Sequence, residues 1–134
     1  MLTQEKNIRL THTGPNTAMG AVFRQYWIPV LLSRQLPEPD GSPVRVKVLG
    51  EELLAFRASD GQVGLVSPRC PHRGADLYFG RNEEQGIRCS YHGWKFDLQG
   101  QCVHMPTSDD DAYCKVKDRA RLTAYPVREW GDML

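Results

Sequence analysis

The sequence is short of several things, and each shortage excludes a class of function. Charge of one sign is almost absent: 17 basic against 16 acidic residues leave a net charge of +1. A nucleic-acid-binding domain carries a basic stripe that is missing here. Long apolar runs are also missing. The longest, Trp27-Ile28-Pro29-Val30-Leu31-Leu32, contains a proline and cannot span a bilayer. Met1 to His12 is polar and lacks the apolar core of an export signal. The expectation is a cytoplasmic chain with no nucleic-acid or membrane partner. Cysteine is scarce, at four residues. In a reducing compartment these are better read as metal ligands or buried thiols than as two disulfides. Leu, Ile, Val and Phe make up about 22% of the 134 residues, just above the level where disorder becomes the default. One thin-cored domain is expected, of the kind that often needs a staple or a metal. No Gly-rich phosphate loop or hydrolase serine motif occurs, and Glu51-Glu52 and Glu83-Glu84 are loop pairs without the marks of a catalytic dyad.

Turn formers are plentiful, with 12 glycines and nine prolines, which argues against a helical bundle. Residues 1–22 read as a lead-in with a short helix ending near Gly20, and residues 23–134 as the folded domain. Val44, Val46 and Val48 alternate with Arg45 and Lys47, the period-two pattern of a strand with one wet face. Leu53 to Phe56 is its return strand. Ser59-Asp60-Gly61 is a hairpin turn leading into a third strand at Val63 to Val66. Periodicity fails from Ser67 to Gly80. Gly86 to Arg88, Trp94 to Leu98 and Cys102 to His104 are further short strands, Pro106 to Asp111 is an acidic loop, and Leu122 to Trp130 is a last strand. The predicted fold class is all-β, an antiparallel sandwich or open barrel. The last strand pattern is followed by no polar tail, so the chain is expected to be a cut from a longer polypeptide.

Two motifs carry the chemistry, Cys70-Pro71-His72 and Cys89-Ser90-Tyr91-His92. Each pairs one thiolate with one imidazole in a loop that follows a strand. Sixteen residues, 73–88, separate them, and two loops at one end of a sandwich can meet. Besides ordinary turn residues, two metal sites suit the four donors. Zinc accepts two Cys and two His, but zinc fingers usually put both cysteines in one arm, whereas here each arm is mixed. A 2Fe-2S cluster with two histidines on one iron suits mixed arms: each loop gives its thiolate to one iron and its imidazole to the other. His12 and His104 stand apart and are not ligand candidates. Arg69, Arg73, Arg81, Arg88 and Lys95 surround the motifs and read as a solvated rim in preference to a docking face.

Cys70-Pro71-His72-Arg73-Gly74-Ala75 and Cys89-Ser90-Tyr91-His92-Gly93-Trp94-Lys95-Phe96 resemble the two cluster loops of Rieske proteins. Their flavour is that of Rieske non-heme iron aromatic-ring-hydroxylating oxygenases, close to the phthalate dioxygenase group. Arg24-Gln25-Tyr26-Trp27-Ile28-Pro29-Val30 and Tyr125-Pro126-Val127-Arg128-Glu129 resemble the entry and closing segments of that domain, so the likeness covers residues 20–134. The resemblance implies a Rieske fold with a two-loop cluster-binding subdomain. It implies that Cys70 and Cys89 ligate the inner iron, and His72 and His92 the outer. Cys102 and Cys114 match no ligand position, and Tyr91 stands where respiratory Rieske proteins carry an extra cysteine. Gly74 and Gly93 are expected to let backbone N–H groups turn toward sulfur. Trp94 is expected to cover the cluster by packing. The implied partners are a reductase or ferredoxin donor and a catalytic oxygenase domain holding mononuclear non-heme Fe(II), absent from this chain, with a trimer in the full-length protein. By the same resemblance the 134 residues alone transfer electrons and contain no catalytic residue. A free-standing Rieske ferredoxin is the alternative.

Overall fold

The computed structural model describes residues 1–106 and 115–134. The Asp109-Asp110-Asp111 run and Cys114 lie outside the described residues. Two helices open the chain, α1 (Gln4–Thr11) and α2 (Ala18–Phe23). Each begins where a threonine hydroxyl accepts a first-turn N–H: Thr3 from Lys6 at 3.3 Å, and Thr17 from Gly20 at 3.0 Å. The lead-in is therefore more helical than expected, and α2 runs through Gly20. That residue is buried so closely that a Cβ would lie 2.6 Å from the carbonyl oxygen of Thr13.

Arg24, at the end of α2, fastens the lead-in to the sheet. Its guanidinium donates to Glu51 Oε2 at 2.7 Å and to the carbonyls of Leu49, Thr13 and Gly20. Tyr125 donates its hydroxyl to the same carboxylate at 2.9 Å. The Arg24 bond, helped by Tyr125 and opposed by burial, holds the Glu51 carboxyl below its ordinary value. Because folding lowers it, the stabilisation is complete above the ordinary carboxylate range and is lost as pH falls through the lowered value. We expect Glu51→Gln to cost about 1 kcal/mol at pH 7 and nearly nothing in acid, read from urea unfolding at both pH values. An equal cost at the two would refute this.

Among the described residues, eight strands form two antiparallel sheets. The first, in the order β1 (Val44–Val48), β2 (Glu51–Arg57), β3 (Val63–Val66), β8 (Ala124–Tyr125), matches the valine alternation. The second runs β4 (Arg81–Glu83), β5 (Gly86–Arg88), β6 (Lys95–Asp97), β7 (Cys102–His104). Leu49 and Gly50 join β1 to β2 with φ of 47° and 77°, the doubly left-handed turn that suits strand twist. Glu84 and Gln85 make the same turn between β4 and β5, with φ of 49° and 66°. The last strand is shorter than expected. Pairing stops at Tyr125, because Pro126 has no N–H for the ladder. The tail instead crosses to residues 30–33: Val30 N–H donates to Leu134 O at 2.7 Å and Leu134 N–H to Leu31 O at 2.9 Å.

Apolar side chains gather in two clusters on opposite faces of β2. Leu54 and Phe56 point into an inner core with Val66, Leu77, Ile87 and Phe96, and both loop cysteines, Cys70 and Cys89, belong to it. Leu53 and Ala55 point into an outer core with Leu31, Leu36, Leu65 and Leu134. Among the described residues no helix is long and apolar enough to cross a membrane.

Candidate metal centre

The two motif loops share one backbone frame. In the first, Cys70 N–H donates to Ala75 O at 2.9 Å and Gly74 N–H to Cys70 O at 2.8 Å. In the second, Cys89 N–H donates to Trp94 O at 2.8 Å and Gly93 N–H to Cys89 O at 3.0 Å. Each frame is closed by a left-handed glycine, Gly74 at φ 69° and Gly93 at φ 73°. At Gly93 a Cβ would also stand 2.8 Å from Pro106 Cγ. The histidine is the third residue of the first frame and the fourth of the second.

The twinned frames bring all four candidate donors to one tip. Cys70 and Cys89 are 2% and 3% exposed, within hydrogen-bond reach of each other. The rings of His72 and His92 meet edge-to-face with centroids 4.7 Å apart. His72 is exposed and His92 half-buried, so the sulfur pair lies inside and the nitrogen pair outside. Burial, and to a lesser extent the neighbouring Cys89, pushes the Cys70 thiol up to about 11. The N–H groups of His72 and Arg73 act the other way by bonding its sulfur. Those donors are not the glycine N–H groups, which are taken by the cysteine carbonyls. Partial desolvation, then repulsion from His92 and Arg73, holds the His72 imidazole below its ordinary value. It is thus neutral near pH 7 and keeps a lone pair for a metal.

Aromatic rings bracket the imidazoles. Trp94 stacks on His72 at 4.5 Å with an interplanar angle of 3°, and Tyr91 lies over His92 at 3.9 Å. Trp94 Nε1 is buried and, among the described residues, has no hydrogen-bond partner. Buried donors are rarely left so, and each such group asks what it is kept for. A buried sulfur pair with backbone N–H donors at Cys70, two accessible imidazoles and an indole N–H unpartnered among the described residues fit an iron–sulfur group.

The basic rim is different from the sequence reading. Arg69, Arg73 and Arg81 are exposed, but Arg88 and Lys95 are neither solvated nor free to dock. Lys95 is buried and donates to Glu84 Oε2 at 2.9 Å. Arg88 binds Glu83 through Nε and donates through Nη1 to Gly93 O at 2.9 Å. His104 is exposed, with Nδ1 3.0 Å from that same Nη1, and His12 is exposed on the lead-in. Cys102 is buried in the inner core, its sulfur 3.6 Å from His104 O. Sequence reasoning missed the stacking of Trp94 on the other loop's histidine and the bond from Arg88 to Gly93. One signal was available: both cysteines stand four residues before a glycine.

Residues 26–126 match the model of the Rieske 2Fe-2S domain. The chain is 44% identical over 131 residues to the phthalate 4,5-dioxygenase oxygenase subunit of Pseudomonas putida, covering 98% of this chain and 29% of that one. It is 48% identical over 135 residues to the 3-chlorobenzoate-3,4-dioxygenase oxygenase subunit of Comamonas testosteroni, covering 100% of this chain and 30% of the other. The crystal structure of apo dicamba monooxygenase superposes with a TM-score of 0.71 at 30% identity, over 82% of this chain and 32% of that one. The chain thus spans under a third of the length of these relatives. With the family match running from the aromatic entry segment through both loops to β8, the chain belongs to the Rieske 2Fe-2S domain family.

Proposed function

We propose that Cys70, Cys89, His72 and His92 hold a 2Fe-2S cluster, the cysteines on the inner iron and the histidines on the outer. The observation that carries this is the split of the four donors into a buried sulfur pair and an accessible nitrogen pair on twinned frames. When bound, the cluster takes up and releases one electron. The protein's part is to exclude water from the sulfur side, to aim the N–H groups of His72 and Arg73 at Cys70, and to leave the imidazoles reachable. Residues 23–134 are the electron-transfer domain and residues 1–22 its lead-in.

The larger reading extends this to a cytoplasmic oxygenase subunit that oxidises an aromatic compound. It is supported by the identity to two dioxygenase oxygenase subunits along the whole chain. In that setting the domain accepts electrons from a reductase or ferredoxin. It passes them to a mononuclear non-heme iron in a catalytic oxygenase domain, and the subunits assemble as a trimer.

Potentiometric titration of the anaerobically reconstituted chain, followed by visible absorption and reduced-state EPR, tests the cluster. Mixed Cys/His ligation raises the potential above that of an all-cysteine cluster, and hydrogen bonds to sulfur raise it further. Phe96, fully buried, has no donor, and Trp94 has only its indole N–H. We expect a one-electron wave at roughly −150 to 0 mV, the lower part of the Rieske range. Colourless protein would refute the cluster, and a potential near the upper end of the range, about +300 mV, would refute the account of its tuning.

A further inference from the structure

Arg69 and Arg88 occupy the same place in the two loops, each one residue before the cysteine. Their surroundings differ. The Arg69 side chain is 62% exposed and reaches Asp76 at 3.5 Å. The Arg88 side chain is 15% exposed and its guanidinium is engaged on three edges. Nε donates to Glu83, Nη1 donates to Gly93 O at 2.9 Å beside His104, and Nη2 lies 3.8 Å from Glu84.

Strand register explains why so much is gathered there. Arg81 faces Arg88, Arg88 faces Lys95, and Lys95 faces His104, a basic row across all four strands of the second sheet. Like charges directly opposite repel. Glu83 and Glu84, at the β4–β5 turn, supply the counter-charge: Glu83 to Arg81 and Arg88, Glu84 to Lys95 and Arg88. Held in place by that carboxylate pair, the planar fork of Arg88 can offer a second edge to a carbonyl at fixed geometry. The carbonyl it meets is that of Gly93, the left-handed residue whose own N–H holds Cys89 O. Among the described residues no side chain bonds the matching carbonyl of Gly74 in the first loop.

We propose that Arg88 is the positioning residue of the second loop. It clamps the Gly93 turn so that Cys89, His92 and Trp94 keep one arrangement, while the first loop keeps its own without such a clamp. The link to cluster binding rests on the function proposed above; the clamp itself does not.

Arg88→Gln, Arg88→Lys and Arg69→Gln, each made in the full chain, separate the possibilities. The two glutamine variants remove the same charge one residue from a cysteine, so an effect of charge alone moves both alike. Amide hydrogen exchange on the unreconstituted chain reads the clamp directly. Protection at Cys89 and Gly93 should fall about tenfold in both Arg88 variants and change less than about twofold in Arg69→Gln. After reconstitution, loss of the cluster to a chelator should quicken about tenfold in Arg88→Gln and change less than about twofold in Arg69→Gln. Arg88→Lys keeps the charge without the fork and should fail to restore the parent rate. The proposal is overturned if amide protection is unchanged in the Arg88 variants, if the two glutamine variants behave alike, or if lysine restores the parent values. Should Arg88→Gln not fold, Arg88→Lys decides by the same measures. If the parent chain takes up no cluster, the function proposed above fails, and the exchange data still decide the clamp.

Discussion

Replacing Cys70, Cys89, His72 or His92 by alanine should leave the reconstituted protein without its visible chromophore, whereas Cys102→Ala should stay coloured. A 2Fe-2S cluster of this type takes two protein donors on each iron, so the loss of any one opens a coordination position. The inner core around Cys70 and Cys89 is mostly aliphatic and aromatic, with Leu77, Ile87 and Phe96 carrying no metal donor. Loss of either histidine would leave a single imidazole where the two rings now stand with centroids 4.7 Å apart. Cys102 is the control because it is equally buried in the same core yet lies on β7, outside both frames. Absorption and iron content after anaerobic reconstitution decide the matter. A coloured Cys89→Ala protein, or a colourless Cys102→Ala one, would remove the basis for the ligand assignment.

The second large effect is expected in the core. Phe96 is 0% exposed on β6, two residues after Trp94, and packs in the cluster that includes Cys70, Cys89 and Ile87. Phe96→Ala should cost about 3–5 kcal/mol, from the lost transfer energy of the ring and the cavity it leaves. That is a large share of the roughly 5–15 kcal/mol available to a domain of this kind. Phe96→Leu keeps most of the volume and should cost less than about 1.5 kcal/mol. Urea midpoints for the two variants give the comparison. Equal midpoints would mean that the ring does not organise the floor beneath the loops.

The parts of this fold that announce themselves in the sequence are those where local chemistry agrees with the final structure. Val44, Val46 and Val48 alternate because one face of β1 is wet, and Gly50 and Gly61 stand where the chain turns through positive φ. The four candidate donors are equally visible, since paired Cys and His are rare and glycine marks each loop. The failures have definite causes. β4 was not foreseen because its turn uses Glu84 and Gln85, without the Asn-Gly chemistry that advertises a hairpin. The final strand is shorter than its apolar alternation suggests, because that alternation continues past Pro126, which ends the pairing. Arg88 and Lys95 look like rim residues in the sequence because their true neighbours depend on register. Only after β4, β5 and β6 are laid side by side do Glu83 and Glu84 stand over them. The stacking of Trp94 on His72 joins two loops far apart in sequence, and no local pattern could signal it.

The unequal depth of the two donor pairs gives the tip a direction. Cys70 and Cys89 sit behind a wall of aliphatic and aromatic side chains. His72 and His92 lie toward solvent, with Tyr91 exposed beside them. Under the proposed ligation, charge enters and leaves through the same end, so donor and acceptor must take turns at a single port.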